Sequence, residues 1–115
     1  NAKETFRQAL EEAGIVEDQG MRAQAMRIVA VSLAATGNTA EALQTAEKIQ
    51  IEHERVNAFS GIAGKQAWRG DTLGALGWIA TLNSPQLRAA TLLAVADANL
   101  QRLERQKARS RKDMR

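Results

Sequence analysis

His53 is the single histidine of this 115-residue chain, and cysteine is absent. A zinc site needs three or four His, Cys or carboxylate ligands converging on one point. His53 falls in a linker between helical patterns without such company, so neither a metal centre nor a His-dependent nucleophile is expected. The acidic pairs Glu11-Glu12, Glu17-Asp18 and Glu52/Glu54 fall at turns and helix surfaces. Solvation, not general acid–base work, is the expected state for them. Gly61, Gly64, Gly74 and Gly77 follow no strand and so do not make a phosphate-binding loop. They are expected to permit close packing or to loosen the segment that holds them. Arg69-Gly70-Asp71 spells a tripeptide known from adhesion ligands, but it coincides with Thr36-Gly37-Asn38 placed 33 residues earlier. A turn is the reading preferred for both. Trp68 and Trp78 are read as partly buried packing residues, with Trp68 close to an inner surface. No catalytic residue and no cofactor is expected, and the chain is read as a non-enzyme.

The elements that position these residues are set by a repeat. A shift of 33 residues brings Arg22, Arg55 and Arg88 into register, then Met26, Phe59 and Leu92, then Val29, Ile62 and Val95. Ala30, Ala63 and Ala96 align, as do Ala9, Ala42 and Ala75, and Leu10, Leu43 and Leu76. A fixed period of this size marks a repeat architecture and takes precedence over short motifs. Proline occurs once and no strand-length alternation appears, which favours helix throughout. Only four aromatic residues occur, so the core must rely on small residues at helix crossings.

Charge is uneven. Residues 101–115 hold seven Lys/Arg against two acids, while the other 100 residues hold nine bases and eleven acids. The basic character therefore belongs to the C-terminal stretch. No apolar run approaches transmembrane length, so a soluble protein, cytoplasmic or periplasmic, is expected. The first residue is Asn1, not Met, which points to a removed leader or a longer parent chain.

Apolar spacing predicts helices over 2–14 (Phe6, Ala9, Leu10, Ala13 inward), 20–36 (Met26, Val29, Ala30, Leu33, Ala34 inward) and 38 to about 49–51. Gly37 suits a helix stop needing positive φ, and Asp18 suits an N-cap. Helices over roughly 53–69 and 72–82 repeat the unit around Gly70-Asp71. Ser84-Pro85 starts a last helix, with Leu92, Val95, Ala96, Leu100 and Leu103 inward. That helix is expected to fray a turn or two beyond Gln101. The organisation is a helical domain over 1–105, divided as half unit 1–18, unit 19–51, unit 52–84 and half unit 85–105, with a basic tail over 106–115.

This pattern resembles the tetratricopeptide repeat, a helix–turn–helix unit of about 34 residues. The likeness rests on the large residue at Met26, Phe59 and Leu92 and the apolar–small pairs Val29-Ala30, Ile62-Ala63 and Val95-Ala96. It rests also on the turns Gly37-Asn38 and Gly70-Asp71 and on the small residue at Ala9, Ala42 and Ala75. The period here is 33, the closing Pro is replaced at Glu54 and Leu87, and the third turn, at Arg102-Leu103, has no Gly. Leu33, Gln66 and Asn99 stand where the family carries an aromatic. The chain reads as a divergent member, with another helical-hairpin solenoid as the alternative fold.

The resemblance implies an all-α, right-handed α-solenoid of about six helices in antiparallel pairs, with a concave face lined by the first helix of each unit. It implies a groove for a peptide or partner helix at Gln24, Arg27, Val31, Asn57, Ser60, Gly64, Trp68, Ala90, Leu93, Asp97 and Gln101. The expected function is a protein–protein interaction module or scaffold subunit, in a bacterial-type assembly. The alternative is binding of nucleic acid or an acidic surface through Arg102, Arg105, Lys107, Arg109, Arg111 and Lys112. The tail lacks interleaved aromatics, so nucleic acid is the less favoured partner. The repeated Arg22, Arg55 and Arg88 are read as structural, with heads reaching acids such as Glu17, Asp18, Glu52 or Glu54; a ladder for phosphate is the other reading. Each end of the chain is expected to expose apolar surface for a copy of itself or a partner subunit.

Overall fold

The computed structural model describes residues 1–114. Six helices follow one another: α1 (Ala2–Ile15), α2 (Gln19–Ala35), α3 (Thr39–Glu47), α4 (Glu52–Trp68), α5 (Thr72–Ile79) and α6 (Pro85–Asp113). No strand occurs among the described residues.

Side-chain caps fix the helix starts. Asn1 accepts from the Glu4 amide at 2.8 Å, Asp18 from Met21 at 2.9 Å, Asp71 from Gly74 at 3.0 Å and Ser84 from Leu87 at 3.2 Å. Each such cap is worth about 1 kcal/mol. Pro85 follows Ser84 at the first position of α6, where its missing N–H costs nothing.

The two glycine turns share one geometry. Gly37 has φ 89° and Gly70 has φ 98°. At the end of α2 the Asn38 amide reaches back to Leu33 (2.9 Å) and the Gly37 amide to Ala34 (3.1 Å). At the end of α4 the Asp71 amide reaches Gln66 (3.1 Å) and the Gly70 amide reaches Ala67 (2.9 Å). This pairing satisfies the last carbonyls of each helix and demands a left-handed residue. Gly37→Val is therefore expected to cost on the order of 1 kcal/mol or more, because a β-branched residue resists positive φ. Its Cβ would also stand 2.9 Å from the Arg69 guanidinium. Thermal denaturation checks this, and an unchanged melting temperature would contradict it.

Helix α4 lies at the centre and packs against α2, α3, α5 and α6, while α2 also meets α1 and α3. Helices α3 and α5 do not meet. The crossings are made by alanine: Ala30, Ala34, Ala42, Ala46, Ala58, Ala63, Ala67 and Ala75 are all 0 % exposed. Small residues let the backbones approach, and Ile49 and Ile62 fill the gaps. The tightest approach is at Gly61, where a Cβ would lie 2.5 Å from Val31 Cγ2. Any side chain there would force Val31 to shift.

Four expectations change. First, α3 ends at Glu47 and α5 at Ile79, short of the expected limits; buried Ile49 and half-buried Leu82 still close the apolar stripe from the following loops. Second, α6 does not fray after Gln101 but continues unbroken to Asp113. No Gly or Pro interrupts it, its Arg, Lys, Gln and Ala favour helix, and Arg111 and Lys112 in its last turn complement the helix dipole. The basic stretch is thus the outer part of one continuous helix, and the molecule measures 55 × 35 × 20 Å.

Third, the heads of Arg22, Arg55 and Arg88 reach no acid. Arg22 donates to the Val16 carbonyl at 2.6 and 2.9 Å, and Arg55 to the Ile49 carbonyl at 3.2 Å. Arg88 donates to the Leu82 carbonyl. In all three the acceptor lies six residues upstream, beside the C-terminus of the preceding helix. A cation is favourable at that negative end of a helix dipole, and the bond fastens one helix end to the next helix start. Fourth, Ala9 is exposed although Ala42 and Ala75 are fully buried, and of the set expected inward on α6 only Val95 is buried. Leu92, Ala96, Leu100 and Leu103 are exposed because none of the described helices packs on that face of α6.

Candidate partner-binding groove

Helix α4 turns Gly64 toward Ala94 of α6 and Gly61 toward Val31 of α2, so little side-chain bulk from α4 fills the seam with α6. The result is an open groove of ≈ 500 Å³ lined by Gly61, Gly64, Lys65, Trp68, Ala94, Asp97, Ala98 and Gln101. Asp97 and Gln101 face each other one turn apart at 2.9 Å, which holds both polar heads on the groove wall.

Trp68 is the last residue of α4, and α6 overshoots it. The overhang brings Arg102, Arg105, Gln106 and Arg109 around the indole in a second concavity of ≈ 320 Å³. The Arg105 guanidinium stands 5.7 Å from the Trp68 ring centroid, a cation–π contact. Arg102 donates to the Ala67 carbonyl at 3.3 Å, capping the end of α4. None of these arginines pairs with an acid among the described residues. The wall shared by both concavities is Trp68.

Of the residues named from sequence, Gly64, Trp68, Asp97 and Gln101 come together in the groove, with Arg102, Arg105 and Arg109 at its end. Val31 supports the groove from behind by touching Gly61, and Ser60 is half-buried. Arg27 is tied to Glu54 at 2.7 Å. Gln24 and Asn57 are exposed outside this groove. Lys107, Arg111 and Lys112 are exposed on the overhang without lining the corner. Lys65 is the lining charge that sequence reading missed. Its signal was its place one residue after Gly64, four before Arg69, on the polar side of α4.

Behind the groove a polar chain links α4 to α5. The Trp78 indole N–H donates to Gln66 Oε1 at 2.8 Å, and the Gln66 amide donates to Asp71 Oδ2 at 2.8 Å. The Gln66 hydrogen bond, followed by the Gly74 amide, holds the Asp71 carboxyl below its ordinary value. Phe59 packs on Trp78 with ring centroids 6.0 Å apart, so Trp78 serves packing. Gln66→Leu leaves the part-buried indole N–H without its acceptor and removes a donor from Asp71. The expected loss is about 1–3 kcal/mol, read by chemical denaturation; unchanged stability would mean the chain is not formed in solution.

The overhang contributes little to the fold. Residues 106–114 are all exposed, so removing 106–115 is expected to leave the melting curve nearly unchanged. A large loss would mean that the overhang docks on the body. Arg69, Gly70 and Asp71 are engaged in the turn: Arg69 donates to the Ala35 carbonyl at 3.0 Å, and Asp71 caps α5. Among the described residues no helix is long and apolar enough to cross a membrane. Comparison with protein families, with curated proteins and with solved structures returns no significant match for this chain.

Proposed function

We propose that the chain is a tetratricopeptide-like solenoid of antiparallel helix pairs that acts as a non-enzymatic interaction module. Its partner is a peptide or helix of another protein, held in the groove between α4 and α6. The repeat reading is supported by the matched turns at Gly37 and Gly70. The three Arg-to-carbonyl bonds set six residues apart support it too. The observation that carries the function is the glycine-floored groove ending on Trp68. Concave sites lined by small residues, one aromatic and a few fixed polar groups suit the capture of a protein segment.

The test is selection of binding peptides from a random library displayed against the intact chain. Selected peptides should lose binding to Gly64→Leu, which fills the groove, and keep binding to Leu73→Ser on α5, whose side chain is 84 % exposed. Peptides indifferent to Gly64→Leu would refute the site.

A second reading is favoured by the unpaired Arg102, Arg105 and Arg109 beside Trp68. In it the overhang holds an acidic surface or a nucleic acid. Affinity that falls steeply with salt and vanishes on removing 102–115 would select this reading over the first.

A further inference from the structure

We infer that the chain binds a small aromatic carboxylate in a pocket between α1, α2 and α3, at the place that the following unit fills with the Trp78 indole. The inference uses the 33-residue register and stands apart from the groove between α4 and α6.

The pocket holds ≈ 340 Å³ among the last turns of α1, the first turns of α2 and the end of α3 with the loop that follows it. Cavities of roughly 300–1,000 Å³ suit small ligands. Leu10, Ala23, Met26 and Ile51 give it an apolar wall. Thr45 lines it too and is buried. The Thr45 hydroxyl donates to the Glu41 carbonyl at 2.9 Å, so that donor is already engaged. Gly14 borders the pocket, and a Cβ there would meet nothing within 4 Å. Its φ is not positive, so the fold does not require glycine at this position. The absent side chain leaves the pocket open on the α1 side.

The register explains why the space exists. Ala23, Met26 and Thr45 stand 33 residues before Val56, Phe59 and Trp78. In the later unit the Trp78 ring packs on Phe59 and touches both buried clusters. Its indole N–H donates to Gln66, and Leu33 stands at that place one period earlier. The earlier unit keeps the helices and lacks both rings, so what is missing between them is flat and apolar. A second concavity of ≈ 320 Å³ touches Leu33 and shares Leu10, Thr45 and Lys48. The shortfall in packing is therefore centred on Thr45.

Charge sets the polar end of the ligand. Arg22 and Lys48 line the pocket, and no acid does. Neither forms an ion pair among the described residues. Arg22 is held in place by its two bonds to the Val16 carbonyl. Lys48 is exposed on a flexible stem, so its ammonium can move over a bound anion. A carboxylate accepts charge-assisted hydrogen bonds from such donors, whereas a cationic ligand would meet two like charges. The occupant is thus a ring that carries a carboxylate.

Titration of indole-3-acetate, and separately of indole, into the isotope-labelled full chain tests the proposal through amide chemical shifts. Indole-3-acetate should shift Leu10, Gly14, Ala23, Thr45 and Ile51 and leave Gly64 and Trp68 unmoved. Indole should bind at the same residues several-fold more weakly, and Lys48→Gln should narrow that difference. Thr45→Trp supplies the ring from the chain itself, so binding should be lost while helix content by circular dichroism is unchanged. If Thr45→Trp loses helix, Gly14→Leu fills the pocket instead, from a position with open space beside it. Four results would each overturn the proposal: no shifts from indole-3-acetate at millimolar concentration, shifts centred on Trp68, binding that survives the filling variant, or indole binding as tightly as indole-3-acetate.

Discussion

Truncating Ile62 to alanine is expected to remove about 2–5 kcal/mol of stability, the usual range for a fully buried aliphatic side chain. Ile62 is 0 % exposed, on the central helix, among Leu33, Ile49 and Phe59 of the same core cluster. Alanines surround it at the crossings, and they have no atoms to extend into the space it leaves. The cavity term should therefore stay large. A domain of this size has a total stability on the order of 5–15 kcal/mol, so the variant should lie near the edge of folding. Denaturant titration measures the change. A loss below about 1 kcal/mol would mean that α4 is not the centre of the core.

Ala75→Leu is expected to destabilise by roughly 1–3 kcal/mol through the opposite fault, too much volume. Ala75 is 0 % exposed and belongs to a cluster with Ala63, Ala67, Ile79, Val95 and Ala98 drawn from α4, α5 and α6. Three helices meet at this point on small residues, and a leucine must push at least one of them away. Ala9→Leu, at the matching place on α1, should cost almost nothing in the single chain because Ala9 is exposed. The contrast separates overpacking from any intrinsic effect of leucine, which is a good helix former in both settings. Equal melting temperatures for wild type and Ala75→Leu would contradict the packing of α5 between its neighbours.

The helices and their turns were legible because their determinants are local. Gly37 and Gly70 announce left-handed turns, and Asp18 and Ser84 announce caps, since the donor each cap satisfies lies three residues away. Burial at Ala42 and Ala75 was legible from the register alone. Burial at Ala9 was not, because the same residue type in the same pattern is exposed where the chain offers no neighbour. The acceptors of Arg22, Arg55 and Arg88 were illegible for another reason. A backbone carbonyl has no letter of its own, whereas the nearby acids do. The corner around Trp68 depended on α6 continuing as a helix. Charged composition suggested fraying, whereas the spacing of Arg102, Arg105 and Arg109 at three and four residues carries them along one face toward α4.

The central claim is that the seam between α4 and α6 receives a segment of another protein. Amide chemical-shift mapping by nuclear magnetic resonance, with a library-selected peptide titrated into the isotope-labelled intact chain, tests it most directly. The expected result is a contiguous set of shifts at Gly61, Gly64, Trp68, Asp97 and Gln101, with the exposed faces of α3 and α5 unmoved. Shifts centred on α3 or α5, with the seam silent, would contradict it.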